Sequence, residues 1–327
     1  MTTTHDRWVE PRPTLVDTRM GPVECAVSGN GPSVLLLHGA MGGYDQSLLL
    51  GRAALGDSGL QFIALSRPGY LGTPLVRGKT PEQQADLCAA LLDALNVSDA
   101  TVVTISGGGQ CALQFALRHP ERCPSLIMIS ACSAQIDARL PLRFHLMKWM
   151  ACVPALVAAM RRKVAANPAE AARRTIADPD LRARTLRDPE AGPLMLALQL
   201  STMDRMAERI PGTENDIRQS RMPFNYPLER ISAPLLVVHG TADQAVPFAQ
   251  AKALAYRLPE AETLFIEGGE HVSLFTHLHE IRSRAVQFLF QHPRPPHEMK
   301  TSVGSRNSES RECPQPPDSV QRGLQTG

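Results

Sequence analysis

The stretch Thr104-Ile105-Ser106-Gly107-Gly108 constrains this chain more than any other. An apolar run from Ala100 to Val103 precedes it, and Gly109-Gln110-Cys111-Ala112-Leu113-Gln114-Phe115-Ala116-Leu117 follows. An apolar run, a serine among small residues and a helix-compatible segment read as a buried strand, a sharp turn and a helix. A serine on such a strained turn stands clear of its surroundings, where a base can reach it. The helix start behind it offers free N–H groups and a positive dipole end, both suited to a developing oxyanion. Glycines are needed because the strand and helix backbones nearly touch there. The usual pattern is Gly-x-Ser-x-Gly. Here Thr104 holds the first position, so a branched β-carbon has to fit where a hydrogen normally sits. A phosphate loop would need Lys-Ser or Lys-Thr after the glycines, and Gln110-Cys111 follow instead.

A nucleophilic serine needs a base, and the base needs an orienting acid. Asp243 lies in a turn just past the apolar run 235–238, and His271 lies in a Gly-rich loop just past the run 263–266. The order Ser106, Asp243, His271 is the one expected when these groups meet at one edge of a parallel sheet. Other residues compete. His38 and His239 also follow apolar runs. Glu270 adjoins His271 and rivals Asp243 as the orienting carboxylate, but neighbours in sequence point apart, which favours Asp243. Glu267 reads as solvated. His277 and His279 read as surface residues of the last helix on different faces, which speaks against a metal site there. His5 and His292 fall in tails.

The remaining runs organise the chain. Residues 34–37, 62–65, 101–105, 126–129, 235–238 and 263–266 are nearly continuous in apolar side chains, as strands covered on both faces must be. Helical segments separate them, notably 80–95, where Thr80 is placed to cap and Pro81 takes the first helical position. Such alternation predicts right-handed crossovers and a doubly wound, mostly parallel α/β sheet. Catalytic groups then collect at the carboxyl ends of the strands. The alternation stops after Ser130, and from about 135 to 228 the pattern is helical.

Together these motifs resemble the α/β-hydrolase superfamily, over roughly residues 20–290. Val34-Leu35-Leu36-Leu37-His38-Gly39-Ala40-Met41-Gly42-Gly43 is similar to that family's His-Gly oxyanion loop. The resemblance implies that the Ala40 and Gly107 backbone N–H groups form the oxyanion hole and that His38 is structural. Ser66-Arg67-Pro68-Gly69-Tyr70-Leu71-Gly72-Thr73-Pro74 resembles the family's Asp-x-Pro-Gly-x-Gly-x-Ser loop, departing from it at Ser66, Leu71 and Thr73. Those departures are expected to affect the loop's hydrogen bonding more than the chemistry. The resemblance further implies a core split into 1–134 and 229–292, with an all-helical cap, 135–228, inserted over the active site. Residues 293–327 are rich in Pro, Ser, Arg and Gln and cannot bury enough surface to offset ordering entropy. A disordered tail without catalytic role is expected there.

Composition narrows the class. Hydrophobic residues make up 43% of 327, enough for a substantial core. Net charge is +2, from 34 basic and 32 acidic side chains, which argues against general nucleic-acid binding. Residues Met1 to Arg7 lack an apolar signal core, and no apolar run approaches the roughly 20 residues needed to cross a bilayer. Seven cysteines at spacings neither paired nor metal-like read as free thiols of a reducing cytoplasm. Cys111 and Cys132 read as small core residues. The sequon Asn96-Val97-Ser98 carries no weight without a signal peptide. Within the helical stretch, 149–160 is apolar throughout and Arg161-Arg162-Lys163 follows. That stretch could wall an acyl pocket, pack plainly, or dock peripherally on anionic lipid. Residues 194–200 pose the same choice.

The expected activity is hydrolysis of a small, fairly apolar carboxylic ester through an acyl-serine, with no metal or organic cofactor and a small-molecule acyl substrate as partner. Oligomeric state is left open. Carbon–carbon bond hydrolysis, lactone opening and acyl transfer use the same groups and stay open. A ligand-binding protein with an idle site is the alternative that Thr104 favours, and a scaffold acting through the Pro-rich tail is a third. Serine at the elbow disfavours the aspartate-nucleophile branches, and Gly107 at the position of a tryptophan disfavours the prolyl aminopeptidases.

Overall fold

The computed structural model describes residues 11–136 and 142–292. The readings of the first ten residues, of the tail 293–327, of Cys313 and of part of the helical stretch (137–141) fall outside them. The chain opens with β1 (Thr14–Thr18), β2 (Gly21–Ser28), β3 (Ser33–Leu37), α1 (Tyr44–Leu55) and β4 (Gln61–Leu65). Next come α2 (Pro81–Ala94), β5 (Thr101–Ile105), α3 (Gly109–Arg118) and β6 (Leu126–Ile129). Six helices follow without a strand: α4 (Leu142–Ala151), α5 (Pro154–Ala166), α6 (Pro168–Ala172), α7 (Pro179–Arg187), α8 (Ala191–Ser201) and α9 (Ile210–Ser220). The chain then returns through β7 (Leu235–Gly240), α10 (Phe248–Arg257), β8 (Glu262–Ile266), α11 (Ser273–Thr276) and α12 (Leu278–Gln291).

The eight strands form one sheet in the order β1-β2-β4-β3-β5-β6-β7-β8, antiparallel for β1–β2 and β2–β4 and parallel elsewhere. All six expected strands are present. Their side chains divide with the two-residue period of a strand. Val34, Leu36, Val103, Ile127, Leu236 and Val238 enter one core with α1 and α12. Leu35, Leu37, Val102, Met128, Leu235 and Val237 enter the other with α2 and α3. Cys88, Cys111 and Cys123 are buried in this second core, and all six described cysteines are free thiols. Burial pushes the Cys123 and Cys132 thiols up to about 12, which keeps them protonated and inert.

Helix α2 starts where its sequence predicts. The Thr80 hydroxyl accepts the Gln83 N–H and the Gln83 side chain accepts the Thr80 N–H, a reciprocal capping box with Pro81 at the first turn. The strands at 14–18 and 21–28 were not foreseen. β1 is a five-residue edge strand with three of its five residues exposed, and β2 carries Gly21, Pro22 and Glu24, so neither shows a continuous apolar run.

The sheet places the site. β3 has β4 on one side and β5 on the other, so the chain order reverses between β3 and β5. In open α/β sheets such a reversal leaves a crevice at the carboxyl ends of the strands. The loops after β3, β5, β7 and β8 all open at that edge. In the helical stretch, Trp149 is 62% exposed on α4 while Ala151 is buried, so the apolar run 149–160 does not act as one buried wall. No helix among the described residues is long and apolar enough to cross a membrane.

Candidate active site

Ser106 sits where β5 turns into α3, with φ at +53°. A side chain there is strained, and the packing around the turn is what holds it. A β-carbon on Gly109 would lie 2.3 Å from the Cys132 carbonyl oxygen. One on Gly108 would lie 2.5 Å from Thr104 Oγ1 and 2.8 Å from the His38 carbonyl oxygen. That second contact explains Thr104. Its branched side chain is fully buried, occupies space left by the bare Gly108, and directs its hydroxyl at the Leu37 carbonyl (3.4 Å). The bulk at the first position of the motif is thus accommodated by the glycine at its last position.

The hydroxyl of Ser106 donates to His271 Nε2 at 3.1 Å, and His271 Nδ1–H donates to Asp243 Oδ2 at 2.8 Å. The three residues expected to work together are therefore joined in one chain of hydrogen bonds. Asp243 is fixed from its other side by the Ala245 and Val246 N–H groups, which donate to Oδ1 at 2.8 and 2.9 Å. Its side chain has no exposed surface. Burial would push the carboxyl up, but the neighbouring His239 and the hydrogen bond from His271 outweigh it and hold Asp243 well below the usual carboxylate range.

The competing residues take other roles. His239 is buried, donates from Nε2 to the Val246 carbonyl at 2.9 Å and lies 3.4 Å from Asp243 Oδ2, so it lies against the acid turn. Glu270 accepts the Ala177 N–H at 3.0 Å and makes no bond to His271 among the described residues. Glu267 is exposed. His279 pairs with Asp188 at 2.9 Å, and His277 is half-buried beside Thr276.

Ala40 and Gly107 border one space. A β-carbon on Gly107 would lie 3.5 Å from the Ala40 nitrogen, and one on Gly39 would lie 2.8 Å from Ser106 Cβ. The loop carrying Ala40 thus passes directly over the serine. His38 beneath it is fully buried: Nδ1–H donates to the Gly39 carbonyl (2.6 Å) and Nε2 accepts the Arg67 N–H (2.9 Å). That pattern requires the neutral ring. Burial, then the neighbouring Arg67 charge, lower its pKa well below 6.5. An unfolded chain takes up a proton there near pH 6.5, and the folded one does not. Stability is therefore present above pH 6.5 and falls as pH drops below it, by up to about 1.4 kcal/mol per pH unit. Urea melts at about pH 7.5 and about pH 5.5 check this. The wild type is expected to lose more stability between them than His38→Asn does.

Sequence reasoning missed the cation under this loop. Arg67 is 1% exposed. Its Nε donates to the His38 carbonyl (2.8 Å) and its Nη2 reaches the Gly39 carbonyl (3.4 Å). Both terminal nitrogens pair with Asp216 of α9, Nη1 to Oδ1 at 3.0 Å, and the Tyr70 hydroxyl donates to Asp216 Oδ2 at 2.5 Å. Burial opposes the Arg67 charge, but Asp216 more than compensates and raises its pKa. Burial, then the Asp216 charge, raise that of Tyr70. A cavity of about 20 Å³, room for about one water, lies among Arg67, Gly107, Gln110 and Asp216. Two of the residues at the loop departures make side-chain hydrogen bonds of their own. Ser66 Oγ donates to Glu24 (2.8 Å), and Thr73 Oγ1 accepts the Glu24 N–H (2.9 Å), tying the loop to β2.

A mostly parallel sheet with a serine on a strand-to-helix elbow, and a histidine and a carboxylate on later loops at the same edge, defines the architecture of an α/β hydrolase. The alpha/beta hydrolase family model matches residues 34–284, and the chain belongs to that family. A solved alpha/beta hydrolase fold protein from Nakamurella multipartita superposes with a TM-score of 0.75 at 33% identity, covering 85% of this chain and 98% of its own. A poly(3-hydroxyalkanoate) depolymerase from Ectopseudomonas oleovorans is 29% identical over 73% of this chain and 81% of its own length. A pimeloyl-[acyl-carrier protein] methyl ester esterase from Aromatoleum aromaticum is 28% identical over 76% and 94%. The chain is an enzyme of the α/β-hydrolase type.

Proposed function

We propose that this enzyme hydrolyses an uncharged ester of an apolar carboxylic acid through an acyl-Ser106 intermediate. The observation that carries the reading is the unbroken chain Ser106 Oγ–His271–Asp243, with the loop that carries Ala40 passing over the serine. Ser106 Oγ attacks the carbonyl carbon while its proton passes to His271 Nε2. Asp243 holds the imidazole by its Nδ1–H and stabilises the imidazolium. The carbonyl oxygen becomes an oxyanion facing the N–H groups of Ala40 and Gly107. His271 then protonates the departing alcohol as the carbon–oxygen bond breaks. A water molecule, deprotonated by the same ring, attacks the acyl-serine, and the acid leaves as Ser106 recovers its proton.

Residues 135–228 are read as a cap over this edge. A cavity of about 460 Å³ runs between α5, α6 and α8; Met160, Val164, Met195 and Leu198 line it together with Lys163, Glu170 and Arg174, and none of Ser106, His271, Ala40 and Gly107 does. The Leu-, Met- and Ala-rich composition of the cap, and not this cavity, supports an apolar acyl group. The names of the depolymerase and of the methyl ester esterase agree with an ester as the bond cleaved. Free buried thiols support a reducing, cytoplasmic setting.

A fluorophosphonate probe followed by mass spectrometry tests the reading. Adduct on Ser106, lost in His271→Ala, is the expected result. A folded protein that stays unlabelled would overturn it.

A further inference from the structure

The loop that carries Ala40 is gripped on one side by Arg67, itself held by the helical segment, and on the other by residues of that segment. On the near side, Arg67 holds the carbonyls of His38 and Gly39, and Arg67 is itself held by Asp216 of α9. On the far side, the Met41 N–H donates to Thr213 Oγ1 at 3.0 Å, and Arg209 Nη1 reaches the Met41 carbonyl at 3.4 Å. Thr213 and Asp216 stand three residues apart on α9, so one face of that helix presents both. Arg209, just before α9, is buried and paired in two contacts with Asp45 of α1 at 3.1 and 2.7 Å. The Gly212 N–H donates to the Gly69 carbonyl at 2.8 Å, which ties the same turn of α9 to the loop holding Arg67. Met41 has φ at +57°, a conformation an unbranched side chain keeps only when its surroundings impose it. Ala40 thus lies between residues whose backbone groups are fixed by α9 or by its ion-pair partner.

We infer that α9 belongs to the oxyanion machinery. Thr213 and Asp216 are positioning residues that aim the Ala40 N–H, and the hole is assembled only while α9 is docked. This rests on the acyl-serine reading above. Its physical basis is that an oxyanion donor works only when preorganised at the place where charge develops, and a donor displaced by a fraction of an ångström loses most of that benefit.

The test uses the full-length protein and four variants: Thr213→Val, its conservative counterpart Thr213→Ser, Asp216→Asn, and Arg67→Met combined with Asp216→Leu. The double variant removes the buried pair without leaving either charge alone. Turnover of a p-nitrophenyl ester gives kcat and KM. A trifluoromethyl ketone, which adds to an activated serine as a tetrahedral oxyanion, reports on the hole. Thr213→Val is expected to lower kcat by about 10-fold and the two Asp216 variants by about 10- to 100-fold, part of the roughly 10²–10³ lost with a whole donor. Ketone affinity is expected to fall by the same factor while KM stays within about twofold. Thr213→Ser should restore both. Folded Thr213→Val and Asp216 variants with unaltered kcat and ketone affinity, or with a raised KM alone, would show that α9 merely packs or lines the acyl pocket. A wild type that takes up neither ketone nor fluorophosphonate would overturn this inference together with the reading beneath it.

Discussion

Ser106→Ala is expected to lower ester turnover by about 10⁶-fold, and His271→Ala by a similar factor, with the double variant no slower than either. The reason is that the two side chains perform one proton transfer. Without the hydroxyl the imidazole at 3.1 Å has no nucleophile to activate, and without the imidazole the hydroxyl keeps its proton. The fold should tolerate the first change. Alanine keeps the β-carbon of the strained elbow and removes an oxygen bonded to His271 alone among the described residues. Single-turnover rates with a p-nitrophenyl ester, alongside thermal melts, check both points. Multiplicative losses in the double variant would mean that the two residues act independently, and the mechanism above would then be wrong. Retention of more than about a hundredth of the wild-type rate in Ser106→Ala would place the nucleophile elsewhere.

The idle-site alternative rests on Thr104, and the structure weakens it. The threonine does not crowd Ser106, because its side chain points into space that the bare Gly108 leaves free. Sequence alone could not show this, since it depends on two residues four apart folding back across the elbow. What sequence does show well is local and periodic. Strands covered on both faces are continuous apolar runs, so β3, β5, β6 and β7 were legible, and their carboxyl ends led directly to Ser106 and Asp243. β1 and β2 lie at the antiparallel margin, where Gly21, Pro22, Glu24 and exposed positions break any run. Arg67 and Asp216 are 149 residues apart. Each lies in a stretch that also holds ordinary surface charges, and only the docking of α9 reveals that this pair is buried. Long-range pairs of this kind leave no local pattern, which is why the candidate triad was readable and the support of its oxyanion loop was not.

Asp243→Asn is expected to keep the fold and reduce kcat by about 10⁴-fold. An asparagine oxygen at the Oδ1 position can still accept the Ala245 and Val246 N–H groups, so the turn survives. The amide nitrogen then takes the place of Oδ2, which now accepts from His271 Nδ1 and lies 3.4 Å from His239 Nε2. An amide N–H can only donate. Facing it, His271 must present an unprotonated Nδ1 and carry its proton on Nε2, where it can no longer accept from Ser106. The imidazolium formed during attack also loses the carboxylate that stabilises it. His239 cannot escape in the same way, because its Nε2–H is committed to the Val246 carbonyl at 2.9 Å, and it is left against another donor. A modest loss of thermal stability should therefore accompany the loss of rate. Fluorophosphonate labelling of Ser106 should slow by a comparable factor, since it draws on the same proton transfer, while KM for the ester changes little. Unaltered labelling in a folded Asp243→Asn protein would mean that another group orients His271, and the assignment of Asp243 would fall.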